Sequence, residues 1–371
     1  MKLELDIHPL QSWIPHQDKP LIISGPCSAE SEEQLVNTAK QLKPLGINIL
    51  RAGVWKPRTR PNSFEGYGEQ ALKWLQTAKK EVELPVAIEV ATPQHIELAL
   101  KHDVDILWLG ARTTVNPFNV QEIADALKGV DVPVMIKNPI NPDLALWIGA
   151  IERIYNAGIR KLAVIHRGFS TFQKSKYRNE PTWQIPIELK TILPNMPIIG
   201  DPSHIAGRRD LLQEVSQKSL DLNYDGLMIE SHIDPDNALS DAKQQVTPDS
   251  LRNILGGLQT RISRGENQDA VFLNQLEELR KQIDNVDREL IEILKSRMNL
   301  VEKACEYKLQ NNVTIFQVER WNDIFRSRSE WAQKMNLKGD FISEIYKLIH
   351  VESIRSQTEV MVKRETVDNS K

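Results

Sequence analysis

Eight short apolar runs alternate with helix-length amphipathic stretches through the first 260 residues, and this alternation constrains the fold more than any other feature of the chain. The runs are LIISG (21–25), INILRAG (47–53), PVAIEV (85–90), ILWLG (106–110), PVMIKN (133–138), KLAVIHR (161–167), MPIIGD (196–201) and GLMIES (226–231). Segments 31–45, 67–81, 93–102, 117–127, 143–157, 208–222 and 248–260 lie between or after them with helical apolar spacing, and 185–193 is a shorter one. Short, nearly continuous apolar strands suit a parallel sheet buried on both faces. Eight such units in this length predict an α/β fold, a (β/α)8 TIM barrel. An open doubly wound sheet would want a glycine-rich fingerprint after its first strand, and GPCSAES is not one.

The residues that end these runs are ionisable. Cys27 follows the first and Arg51 closes the second. Glu89, Arg112, Lys137, His166-Arg167, Asp201 to His204 and Glu230 sit in or just past the other six. In a barrel the C-terminal strand ends converge on one mouth, where active sites lie. The loop WKPRTRPNSFEG (55–66) adds Lys56, Arg58 and Arg60, stiffened by Pro57 and Pro61. So many cations without matching acids would repel one another unless anions sit among them. Arginine forks and lysine point charges bind phosphate and carboxylate. A pocket for two phosphorylated or carboxylated small molecules is expected.

That anion site must be local. The formal charge is only −3 and the pI about 6.3, so a broad footprint for nucleic acid or an anionic membrane is excluded. No run of 18 apolar residues and no N-terminal h-region appears, so neither a membrane span nor a signal peptide is expected. Two cysteines, Cys27 and Cys305, cannot build a disulfide framework, and a reducing cytoplasm is the expected location. Cys27, His204, Glu230 and Asp241 offer a thiolate, an imidazole and two carboxylates. That donor set suits a borderline divalent transition metal better than Mg²⁺ or Ca²⁺.

The motifs GPCS (25–28), KPRT (56–59), GART (110–113), KNP (137–139), HRGFST (166–171), DPSH (201–204), DGLMIE (225–230) and ALSDAKQQ (238–245) follow in order. Over about residues 20–260 they resemble the metal-dependent 3-deoxy-D-arabino-heptulosonate 7-phosphate (DAHP) synthases of the subclass close to octulosonate phosphate synthases. The resemblance implies condensation of phosphoenolpyruvate with erythrose 4-phosphate, the entry step to aromatic amino acids. It implies one divalent metal per barrel (Mn, Fe, Co or Zn) on Cys27, His204, Glu230 and Asp241. Arg51, Lys56, Arg112, Lys137 and Arg167 would hold phosphoenolpyruvate. Lys56, Pro57, Arg58 and Thr59 would hold erythrose 4-phosphate, and Lys137 or His204 would relay the proton. Relatives that use arabinose 5-phosphate carry alanine, asparagine and arginine after the lysine. Pro57-Arg58-Thr59 therefore points to the four-carbon aldose. Ala242 and Lys243 depart from the glycine and smaller polar residue expected after Asp241.

Past residue 260 the pattern changes. RISRGENQDA (261–270) is polar, and a linker over 263–271 is expected. From 273 to 308 there is neither Gly nor Pro, and Leu276, Leu279, Ile283, Val286, Leu290, Ile293, Leu300 and Ala304 step by threes and fours. This predicts one helix of about 54 Å with an apolar seam. Helices near 317–335 and 340–358 follow, with a polar tail over 361–371. Three helices of such unequal length bury poorly alone, which predicts an all-helical domain over 272–360 that forms a homodimer or homotetramer.

Arg297 interrupts the seam, and Lys308 lies about 20° from it around the helix, whereas Arg280 is turned by about 100°. Ser353 and Gln357 are i, i+4 neighbours. This spacing resembles the all-helical chorismate mutases. The resemblance implies Arg280, Arg297, Lys308, Arg320, Ser353 and Gln357 as chorismate- or prephenate-binding residues, with Arg280 reaching into a partner's site. Gln317 and Trp321 stand where acids are expected, which favours the alternative of a non-catalytic effector-binding and dimerisation module. Feedback inhibition of the barrel by chorismate or prephenate is expected in either case.

Overall fold

A computed structural model describes the chain except residues 1–2, 15–19, 57–63, 172–174, 261–269 and 369–371, and the side chains of 270–274 and 364–368. The chain divides into two compact units, Met1–Ser263 and Arg264–Lys371.

The first unit is built on eight parallel strands: β1 (Leu21–Gly25), β2 (Ile49–Arg51), β3 (Val86–Val90), β4 (Ile106–Leu109), β5 (Val134–Lys137), β6 (Leu162–His166), β7 (Ile198–Gly200) and β8 (Gly226–Glu230). Each pairs with the next, and β8 returns to β1, closing the barrel. Closure disposes of the open-sheet alternative. All the strands but β1 are shorter than their apolar runs, because those runs begin or end in loops; β2 keeps three residues of INILRAG.

Strand side chains alternate between the two faces of the barrel wall. Ile23, Ile49, Ala87, Trp108, Met135, Ile165, Ile199 and Met228 pack together inside it, with Leu10 and Ile14 of the N-terminal segment in the same cluster. Their neighbours Ile22, Leu50, Ile88, Leu107, Ile136, Val164, Ile198 and Leu227 belong to the larger cluster shared with the helices. Hydroxyl, amide and carboxylate caps begin many of these helices: Ser31 accepts from Gln34 N, Thr92 from His95 N and Asp143 from Leu146 N. Two short helices, Ala111–Thr114 and Pro202–Ala206, were not foreseen; each directly follows a strand end at the mouth.

The second unit contains helices Ala270–Gln310, Val318–Lys334 and Gly339–Asp368. The last one runs into the stretch expected as a polar tail, because neither Gly nor Pro occurs between Asp340 and Asp368 to stop it. Leu279, Ile283, Val286, Leu290, Ile293 and Leu300 on the long helix are each more than half exposed in the single chain.

Candidate functional sites

At the mouth the inward parity continues, but the residue types change. Two positions beyond the last inward apolar residue come Arg51 after Ile49, Glu89 after Ala87, Lys137 after Met135, Arg167 after Ile165, Asp201 after Ile199 and Glu230 after Met228. The same alternation that fills the barrel thus delivers six ionisable side chains to one end of its interior.

Three of the four expected metal ligands converge. Ligand atoms of Cys27, Glu230 and Asp241 all lie within 4.8 Å of one another. The Cys27 thiol is 3.4 Å from Asp241 Oδ2. His204 stands beside them, its Nε2 3.9 Å from Glu230 Oε1. Its position follows from the local sequence DPSH. Asp201 caps the short helix Pro202–Ala206 by accepting from His204 N, and its carboxylate also takes the His204 Nδ1–H at 2.9 Å. That bond leaves Nε2 as the imidazole atom turned toward Glu230. Asp241 holds a left-handed backbone (φ 48°), which aspartate tolerates better than most residues. Gly53 is required nearby, because a Cβ there would stand 2.2 Å from the Cys27 carbonyl oxygen and 2.9 Å from Lys56 Nζ.

The cations have protein partners, contrary to the expectation that they crowd without matching acids. Arg51 donates to Glu230 Oε1 at 2.9 Å, Lys137 to Asp201 Oδ2 at 2.9 Å and Arg178 to Asp241 Oδ1 at 2.9 Å. The same strand ends that supply the bases supply the acids. Lys56 Nζ donates to Cys27 Sγ at 2.8 Å. Trp108 underlies two cations, its ring centre 5.0 Å from the Arg51 guanidinium and 5.7 Å from Lys137 Nζ. Arg167 donates to Asn179 Oδ1 at 2.8 Å, and its backbone N–H donates to Asn138 Oδ1. Arg112, on the short helix after β4, is exposed. Pro57, Arg58 and Thr59 lie outside the described residues.

Burial and charge set the ionisation. Burial, reinforced by Glu230, pushes the Cys27 thiol up to about 12. Burial would also raise Asp201, but His204 and Lys137 hold it well below the usual carboxylate range. Glu230 and Asp241 are lowered in the same way, against burial, by His204 with Arg51 and by His204 with Arg178. Burial brings Arg167 down to about 10, with Arg178 and Arg112 adding to the effect, so these three guanidiniums share one region.

Some contacting residues were not foreseen. Arg178 bonds Asp241 and Gln244, and Gln244 Nε2 donates to Glu230 Oε2 at 2.7 Å. Gln244 lies within the ALSDAKQQ motif, whereas Arg178 sits in a loop with no periodicity to mark it. Asn179 Nδ2 donates to the His204 carbonyl at 2.6 Å, tying the loop after β6 to the β7 end.

In the helical unit a cavity of about 530 Å³ is lined by Arg297, Lys308, Arg320, Ser353 and Gln357, five of the six expected residues. Arg297 donates to Ser353 Oγ at 2.8 Å, and Lys308 to the Ile315 carbonyl at 2.6 Å. Arg280 is not among the lining residues; it is half exposed, with Glu277 as its nearest acid at 3.9 Å. Gln317 lines the cavity, and the Trp321 ring packs edge to face on His350, 3.8 Å between centres.

The family model described as the DAHP synthetase I family matches residues 7–263, and that of chorismate mutase type II matches 279–358. A phospho-2-dehydro-3-deoxyheptonate aldolase of Thermotoga maritima is 35% identical over 234 residues, covering 63% of this chain and 67% of that protein. A 2-dehydro-3-deoxyphosphooctonate aldolase of Vesicomyosocius okutanii is 27% identical over 261 residues, covering 64% and 89%. The crystal structure of the Thermotoga maritima DAHP synthase superposes with a TM-score of 0.57 at 33% identity, covering 64% of this chain and 67% of that one.

Proposed function

The chain belongs to the DAHP synthetase I family and carries a chorismate mutase type II domain behind its barrel, and we propose that the barrel condenses phosphoenolpyruvate with erythrose 4-phosphate to DAHP and phosphate. The observation that carries this reading is the convergence of the Cys27, Glu230 and Asp241 donors, with His204 beside them, among the cations of the mouth. A thiol, an imidazole and two carboxylates fit Mn, Fe, Co or Zn. When bound, such an ion stabilises the negative charge that develops on the aldehyde oxygen as the new carbon–carbon bond forms.

The chain's own residues do the rest. Arg112, Arg167 and Lys56 orient the phosphate and carboxylate of phosphoenolpyruvate, with Arg51 and Lys137 below them. Arg51 and Lys137 already carry acid partners, so their share is to fix the floor of the site and soften repulsion between two dianions. Lys137 and His204 both donate to the one Asp201 carboxylate. Asp201 is therefore the group through which either can pass or hold a proton as water adds at the former enol carbon. By the sequence motif, Lys56, Pro57, Arg58 and Thr59 hold the aldose phosphate. The decisive test is phosphate release by metal-stripped enzyme, given divalent ions and either erythrose 4-phosphate or arabinose 5-phosphate. Metal-restored turnover with the four-carbon aldose supports the reading; preference for the pentose, or full speed without metal, overturns it.

The helical unit rearranges chorismate to prephenate on this reading, with Arg297 and Arg320 on the carboxylates and Lys308 and Gln357 on the ether oxygen. No general acid or nucleophile is needed; charge stabilisation and a compact bound conformer supply the rate. A second copy covers the apolar stripe of the long helix and brings Arg280 to the neighbouring pocket. Gln317 at the cavity wall favours a second reading, in which the pocket senses chorismate or prephenate without converting it. In both, the bound ligand inhibits the barrel. Chorismate turnover by the full chain separates the two.

A further inference from the structure

The helical cavity holds a cation that the mutase resemblance does not assign. Arg328 lines it together with Arg297, Lys308 and Arg320, and among the described residues no Asp or Glu lines it. The Arg328 guanidinium lies over the Trp331 ring at 4.4 Å and 5.9 Å from the centre of Tyr346. Its Nη1 donates to Ser327 Oγ at 2.8 Å, while its Nε is shut off from solvent without a hydrogen-bond partner. The nearby acid, Asp323, pairs instead with Arg320 and Arg326. Burial pushes Arg297 down, and the charges of Arg328 and Arg320 push it further, so these guanidiniums act on one space.

Arg320 has Asp323 as its acid, but among the described residues no ion pair neutralises Arg297, Lys308 or Arg328 at this cavity, and like charges so placed repel one another until an anion enters. A guanidinium fixed over an aromatic face loses little freedom when it binds, and its fork matches a carboxylate. We infer that Arg328 is a further ligand-binding residue of this cavity and grips one carboxylate of the bound dicarboxylate. The inference rests on the proposed reading of the cavity as a chorismate or prephenate site. It also gives the departures at Gln317 and Trp321 a consequence: with no acid to accept the ligand hydroxyl and one extra cation, the cavity selects for carboxylates more than for the hydroxyl.

The test uses the full chain, with prephenate binding by calorimetry and chorismate turnover as paired readouts. Arg328→Met keeps the aliphatic stem against Trp331 and removes the charge. It should weaken prephenate binding about 10- to 100-fold, the value of a charged hydrogen-bonded contact. Arg328→Lys should recover part of that loss, and the melting temperature should stay near that of the unaltered chain. Arg297→Met is the control. If Arg297→Met loses binding and Arg328→Met does not, Arg328 is no ligand-binding residue. If neither variant loses binding, the cavity is not the dicarboxylate site and the reading beneath the inference falls with it. Should Arg328→Met unfold the helices, Arg328→Lys decides: unchanged affinity overturns the inference, and a loss of about tenfold supports it.

Discussion

Asp201→Asn tests the central geometry of the barrel mouth. Asp201 is fully buried and accepts from Lys137, which is 4% exposed, and from His204. Asparagine keeps an oxygen for the His204 backbone N–H, so the cap of the short helix survives, but its amide nitrogen replaces the oxygen that accepted from Lys137, which loses both its charge partner and its acceptor. Removing one partner of a buried ion pair costs about 3–5 kcal/mol, because the other is left uncompensated. The variant should therefore be destabilised by about 3–5 kcal/mol at pH 7. If Asp201 also connects the proton-handling groups, phosphate release should fall by about 10²- to 10⁴-fold. Denaturant unfolding at pH 7, beside the phosphate-release assay, measures both. A stability loss below about 1 kcal/mol, or turnover within a few-fold of the unaltered enzyme, would refute the reasoning.

Other consequences follow from the same geometry. Cys27 is a thiol at neutral pH, its pKa near 12 through burial and Glu230, so loading Mn²⁺ or Zn²⁺ onto stripped enzyme should release about one proton; a titration in weak buffer with no proton release would contradict Cys27 as a ligand. His166, outside the barrel wall, is held down to about 4 by burial, against the pull of the Pro181 carbonyl. Its folded value lies below the ordinary 6.5, so this contribution is complete above about pH 6.5 and fades as pH falls toward 4, by about 3 kcal/mol in all. His166→Gln should flatten that acid limb in unfolding curves, and an equally steep limb in the variant would exclude His166 as its source. A chain ending at residue 263 should keep DAHP formation and lose inhibition by chorismate or prephenate, whereas retained inhibition would place the effector on the barrel.

The sequence by itself determined the barrel and its mouth. A strand reverses its side chain at every residue, so the inward parity of Ile49, Met135, Ile199 and Met228 extends to Arg51, Lys137, Asp201 and Glu230 without further information. The long helix was equally legible, since 3.6 residues per turn places Arg297 and Lys308 on nearly one line. Tertiary structure alone decided what those charges touch. Nothing in the spacing says that Arg51 is tied to Glu230 or Lys137 to Asp201, because each pair joins strand ends two apart in the barrel, β2 with β8 and β5 with β7, whose inward side chains meet across the intervening strand only in the folded wall. Arg178 and Arg328 stayed hidden for a related reason. One sits in a loop without periodicity and the other on a helix rich in charge, and only folding brings the first to Asp241 and sets the second over Trp331 at the edge of a cavity.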